Sequence, residues 1–170
     1  MIDKYRERVK NAAEARKGEP LYNGSLDHAA VLAEAMFQHA QKEVCILSGE
    51  LNARVYGRAD VVEQANLFLA DPDHTAKILV ESESALDWEN HPLLKAISDN
   101  GNAEVKVVPE NVRGLYNFHF IVMDSDSYRF EKDRGEPVAI AAFGDKKGGE
   151  NMRNIFSTLW NSSKSVARNH

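Results

Sequence analysis

The sequence predicts an α/β protein, an α/β/α sandwich around a mixed, mainly parallel sheet. Helical and strand patterns alternate from Leu26 to Val108, the grammar of right-handed βαβ units with parallel strands. After Pro109 two strand patterns flank a short polar turn and read as a hairpin. A last strand and an amphipathic helix then close the chain. At 170 residues and 19.0 kDa there is room for one domain with a substantial core.

The elements follow in order. Ile2, Tyr5, Val9, Ala12 and Ala13 recur at helical spacing, and Gly18-Glu19-Pro20 ends that helix. In the same stretch Lys4, Arg6, Arg8, Lys10, Arg16 and Lys17 outnumber Asp3, Glu7 and Glu14, so residues 1–19 form a basic amphipathic extension. It either packs on its own domain or a second subunit, or serves as an arm for nucleic acid or an acidic partner. Ser25 offers a cap for a helix over 26–41 with Ala29, Leu32, Ala33, Met36, Phe37 and Ala40 on one face. Val44–Ser48 is a short apolar run, typical of a strand covered on both faces. Val61, Val62, Ala65, Phe68 and Leu69 mark the next helix, and Asp71-Pro72-Asp73 stops it. Strands at Ala76–Val80 and Val105–Val108 flank a short helix opened by Pro92. The hairpin takes Phe118–Met123 and Tyr128–Glu131 around the turn Asp124–Ser127. Val138–Phe143 is the last strand, and Met152, Ile155, Phe156, Leu159 and Trp160 face the core from the last helix. The single domain spans 20–163, with a tail over 164–170.

Composition narrows the function. The formal charge is −5, which argues against a broad electrostatic grip on nucleic acid or anionic membrane. Cys45 is the one cysteine, so neither an internal disulfide nor a multi-thiolate zinc site is available. The N-terminus carries no apolar leader pattern and no run approaches membrane-spanning length, so a cytoplasmic protein without membrane contact is expected. No cofactor or metal motif stands out, and none is assigned. His28 and His39 lie about 16 Å apart along one helix, too far to share a metal. Glu81, Glu83, Asp87, Glu89 and Asp99 read as a solvated acidic face, and Asp145-Lys146-Lys147-Gly148-Gly149 as a helix start rather than a phosphate loop.

The most informative segment is Asn117-Phe118-His119-Phe120-Ile121-Val122-Met123-Asp124-Ser125-Asp126. A strand histidine followed seven residues later by an acid resembles the phospholipase D superfamily signature His-x-Lys-x-x-x-x-Asp. His119 matches the histidine and Asp126 the aspartate, but Ile121 stands where the lysine belongs. The family's later Gly-Ser-x-Asn element is absent too; the strand end reads Ala141-Ala142-Phe143-Gly144-Asp145. The order of elements from Val44 to Trp160 is similar to one half of the family's fold, and the resemblance covers roughly residues 20–163.

That resemblance implies a covalent phosphohistidine chemistry in active members. A second histidine protonates the leaving oxygen, lysines and asparagines hold the phosphoryl oxygens, and the aspartate orients its histidine. Ile121 cannot donate to a phosphoryl oxygen, and losing such a donor commonly costs about 10²–10³ in rate. The expected function is therefore a catalytically degenerate phospholipase D-like domain with a binding or regulatory role, retaining at most a phosphate or anion pocket at His119. The alternative is a homodimeric phosphodiesterase or nuclease using His119 and Asp126. There a substitute cation is needed: Lys132, if Met123 pairs with Tyr128, or Arg129 in a shifted register. One motif per chain points to a homodimer.

Overall fold

The computed structural model describes residues 2–133 and 138–166. The chain runs α1 (Ile2–Ala15), β1 (Leu21–Asn23), α2 (Leu26–His39), β2 (Glu43–Leu47), α3 (Ala53–Tyr56), α4 (Ala59–Leu69), β3 (Thr75–Val80), α5 (Pro92–Asp99) and β4 (Ala103–Val107). It continues through α6 (Glu110–Arg113), β5 (His119–Met123), β6 (Ser127–Glu131), β7 (Ala139–Phe143), α7 (Lys146–Ser162) and β8 (Lys164–Ser165). Among the described residues these strands form one sheet in the order β1-β7-β6-β5-β2-β3-β4-β8.

Alternation along the strands divides the core into two layers. Val44 and Ile46 of β2, Ile78 and Val80 of β3, and Ile121 and Met123 of β5 pack beneath α1, α2, α4 and α5. Cys45, Leu47, Leu79, Phe120 and Val122 point the other way and meet Phe156, Leu159 and Trp160 of α7. The α/β/α sandwich is thus present, with β2 covered on both faces as its unbroken apolar run implies.

The sheet is mixed, but it is not mainly parallel. Parallel pairing is confined to β2, β3 and β4. The pairs β1–β7, β6–β7, β5–β6, β2–β5 and β4–β8 are antiparallel. The short connections from β5 to β6 and from β6 to β7 leave no room for the crossover that a parallel pair needs, so these three strands can only run back and forth.

The hairpin turn is one residue shorter than the sequence suggests. Asp124 and Ser125 take left-handed φ values of 56° and 68°, and Asp126 N–H donates to the Met123 carbonyl at 3.2 Å. Ser127 therefore enters β6 opposite Met123, Arg129 stands opposite Ile121, and Glu131 opposite His119. The Met123–Tyr128 register that would set Lys132 against His119 is not the one formed.

Helix α1 lies on its own domain. Tyr5, Val9 and Ala13 are buried at four-residue spacing against α2. Arg6 pairs with Glu34. Arg16 donates to Asp124 Oδ2 at 2.9 Å, Asp126 Oδ1 at 2.8 Å and the His39 carbonyl at 2.7 Å. Gly144, at φ 76°, lies directly under the chain here: a Cβ would come within 1.7 Å of the Arg16 carbonyl oxygen. Much of the basic excess of the extension is thus spent inside the molecule. Lys164 and Ser165, at the start of the expected tail, pair with β4 as β8, and residues 167–170 lie outside the described residues. Among the described residues no helix is long and apolar enough to cross a membrane.

Candidate functional site

A cavity of about 400 Å³ opens beside the carboxyl ends of β2 and β3, and its lining includes His119, Glu81, Arg129 and Glu131. Ligand crevices of open α/β sheets form at such strand ends, where the topology reverses. Here β2 pairs in parallel with β3 on one side and antiparallel with β5 on the other. The first residue of β5, His119, is delivered to that junction.

His119 Nε2 lies 3.0 Å from Glu81 Oε1, and Tyr116 Oη donates to Glu81 Oε2 at 2.9 Å. The side chains of His119 and Glu81 are 17% and 10% exposed. An ionised carboxylate only accepts, so the Nε2 facing it carries the proton and the lone pair of a neutral ring sits on Nδ1. The loop between β2 and α3 closes around this pair. Glu81 N–H donates to the Gly49 carbonyl at 3.0 Å. A Cβ on Gly49 would lie 2.9 Å from Glu81 Oε1 and 3.2 Å from His119 Cε1, so the absence of a side chain there is a condition of the contact.

Arg129 forms the second half of the site. Cross-strand neighbours share a face, which puts its guanidinium beside buried Ile121. Its Nη1 donates to Glu131 Oε2 at 3.3 Å and its Nε to Asn23 Oδ1 at 3.2 Å, while Asn23 Nδ2 donates to the Ala139 carbonyl at 3.2 Å. Strand β1 therefore contributes a polar anchor as well as an edge. Leu26, Ala29, Val55 and Tyr56 supply the apolar wall. Burial pushes the Tyr56 phenol up to about 12, so it stays neutral.

The expected residues fare differently. His119 and Arg129 come together in the cavity. Lys132 is exposed beyond the end of β6 and outside the cavity lining, because the three-residue turn rotates the register. Asp126 does not orient His119. It lies in the turn at the opposite end of β5 and binds Arg16 and Ser127. Glu81 takes the orienting place, which overturns its reading as part of a solvated face. Its signal was positional: it directly follows Ile78-Leu79-Val80, at the carboxyl end of a central strand. The start of α7 carries no open anion nest, since Asp145 caps it by accepting from Gly148 N–H at 3.0 Å and from Tyr128 Oη at 2.7 Å. Among the described residues no group of three or more His, Cys, Asp or Glu side chains is placed to hold a metal ion.

This architecture is a phospholipase D-like fold. Nuc of Salmonella typhimurium, a phospholipase D family member, superimposes with a TM-score of 0.61 at 12% identity over 88% of this chain and 100% of its own. NucT of Helicobacter pylori gives 0.63 at 11% identity over 87% of this chain and 99% of its own. TrmBL2, an archaeal chromatin protein with a novel mode of DNA binding, gives 0.66 at 12% identity over 97% of this chain and 68% of its own. Within that fold, residues 25–168 match the family described as a domain of unknown function, DUF7931, and the chain belongs to it. No curated protein matches the chain by sequence.

Proposed function

We propose that this chain is a catalytically degenerate phospholipase D-like domain that binds a ligand at the His119 cavity without hydrolysing a phosphodiester. The observation that carries this reading is Ile121, 2% exposed two residues after His119 on β5, where the lysine of the signature would stand. In-line attack on phosphorus needs a lone pair aimed at the substrate and cations around the phosphoryl oxygens. Here Ile121 occupies the lysine position, and Arg129 is engaged by Glu131 and Asn23. The homodimer implied by one motif per chain belongs to the same proposal, and solution mass tests it.

A second reading has one observation in its favour. The formed register puts Arg129 directly across from Ile121, where a guanidinium stands in for the lysine of a phosphodiesterase or nuclease. DNA binding by the chromatin neighbour supports nucleic acid as the substrate or partner class. The inward pairing of Arg6 and Arg16 supports α1 as a brace rather than a nucleic-acid arm.

Purified protein incubated with a bis-aryl phosphate and with DNA and RNA, beside His119→Ala, separates the two. The proposal expects no turnover above the His119→Ala control on any substrate. Turnover abolished by His119→Ala and by Arg129→Met would replace it with the second reading.

A further inference from the structure

Whatever the His119 cavity binds, we infer that α1 is an acid-released brace: protonation of His39, at the end of α2, loosens the docking of α1 on the domain. Among the described residues three buried side-chain polar atoms lack a hydrogen-bond partner, Tyr5 Oη, His28 Nδ1 and His39 Nε2. All three lie along one seam. Tyr5 of α1 packs its ring against His28 in the first turn of α2, with centroids 4.1 Å apart. At the other end, the His39 carbonyl accepts from Arg16, the residue that follows α1. Folded proteins leave few such atoms unpaired, so their gathering here marks a contact that is closely packed and poorly satisfied.

The backbone at the His39 end is strained as well. Arg16 adopts φ 53°, the left-handed region that residues with a side chain enter at a cost. What holds it there is its guanidinium, which binds Asp124, Asp126 and the His39 carbonyl. The tie that fixes this end of α1 is thus made against the very residue that titrates.

The sign of the response follows from the surroundings of His39. Burial holds its imidazole below the ordinary histidine value; Glu14 opposes this, and Arg16 and Lys10 add to it. From the β5–β6 turn, Asp124 and Asp126 reach the same place through Arg16. The docked state therefore favours the neutral ring. Its contribution to docking is complete above about pH 6.5, the ordinary histidine value, and is lost as pH falls from there through the lower value of the docked form. An imidazolium needs a partner for every N–H, and at the buried Nε2 undocking supplies one from water.

Amide hydrogen exchange of the full chain tests the inference, followed from about pH 7.5 to about pH 5.5 across the histidine range and expressed as protection factors, which remove the intrinsic pH dependence. Protection over residues 2–15 is expected to fall on acidification while α4 keeps its own. His39→Gln keeps a polar side chain that takes up no proton, and should flatten the α1 profile. Lys10 and Glu14 are both exposed on α1. Lys10→Gln should move the loss to higher pH and Glu14→Gln to lower pH, each by about a few tenths of a unit, the scale of an exposed charge contact. An α1 profile that parallels α4 at every pH, an undiminished acid loss in His39→Gln, or shifts of one sign from Lys10→Gln and Glu14→Gln each overturns the inference. The wild-type profile and the two surface variants decide even if His39→Gln fails to fold.

Discussion

Restoring the lysine of the phospholipase D signature by Ile121→Lys is expected to damage the protein and to confer no activity. Ile121 is 2% exposed, between Ile46 on β2 and Arg129 on β6. The substitution removes a branched side chain from the α1–α5 core layer. It also brings an ammonium next to a buried guanidinium that Glu131 and Asn23 already hold. Lost packing, burial of a charge and a like-charge cross-strand pair together cost about 3–5 kcal/mol, lowering Tm by roughly 10 °C in a domain of this size. A companion double variant sharpens the argument. With Arg129→Met added, the new lysine inherits Glu131, so the double variant should be more stable than the two single effects summed, by about 1–3 kcal/mol. Urea unfolding of wild type, both single variants and the double variant measures each term. An Ile121→Lys protein within about 1 kcal/mol of wild type, or strict additivity in the cycle, would refute the claim that Arg129 has taken over the lysine's space.

Three further outcomes are expected. Gly49→Ala places a methyl against Glu81 and His119 and should cost about 1 kcal/mol while shifting the His119 ring resonances; an unchanged ring spectrum would mean the loop packs elsewhere. Arg16→Ala removes the ties to Asp124 and Asp126 and should destabilise by about 1–3 kcal/mol, with amide exchange over residues 2–15 accelerating first; uniform acceleration would deny α1 its role as a brace. Burial lifts the phenols of Tyr5, Tyr56 and Tyr128 from 10.0 to about 12, with the hydrogen bond to Asp145 adding at Tyr128. The fold favours their neutral forms, so this contribution is intact below pH 10 and is lost as pH rises toward 12. Three of the five tyrosines should therefore ionise late in a phenolate absorbance titration, and a single step near pH 10 would contradict it.

The long periodic segments were legible because burial imposes their pattern. Ala29, Leu32, Ala33, Met36 and Phe37 follow the helix period, and Val44–Leu47 has the unbroken apolarity of a two-sided strand. Strand β1 was not legible: Leu21-Tyr22-Asn23 is too short for a period, and its partner β7 lies over a hundred residues away. The hairpin register escaped for a different reason. Whether Ser127 belongs to the turn or the strand depends on Asp124 and Ser125 adopting positive φ, which Asp and Ser tolerate without announcing it. That one-residue difference decided which cation enters the cavity. The histidine was found from its strand position, but its partner was not, because Glu81 is separated from it in sequence and sits at the head of an acidic stretch. Sequence spacing suggested Asp126, whereas topology chose the residue that follows β3, on the far side of β2 from the histidine's strand.

The proton on His119 tests most directly the claim at the centre of the site, that Glu81 and not Asp126 holds this histidine. Long-range proton–nitrogen correlation spectra of the wild-type chain report which ring nitrogen of the neutral imidazole carries it. The account predicts the Nε2–H tautomer, held by Glu81, with Glu81→Gln changing the Nε2 resonance more than Asp126→Asn does. A proton on Nδ1 with an unprotonated Nε2, insensitive to Glu81, would contradict the account.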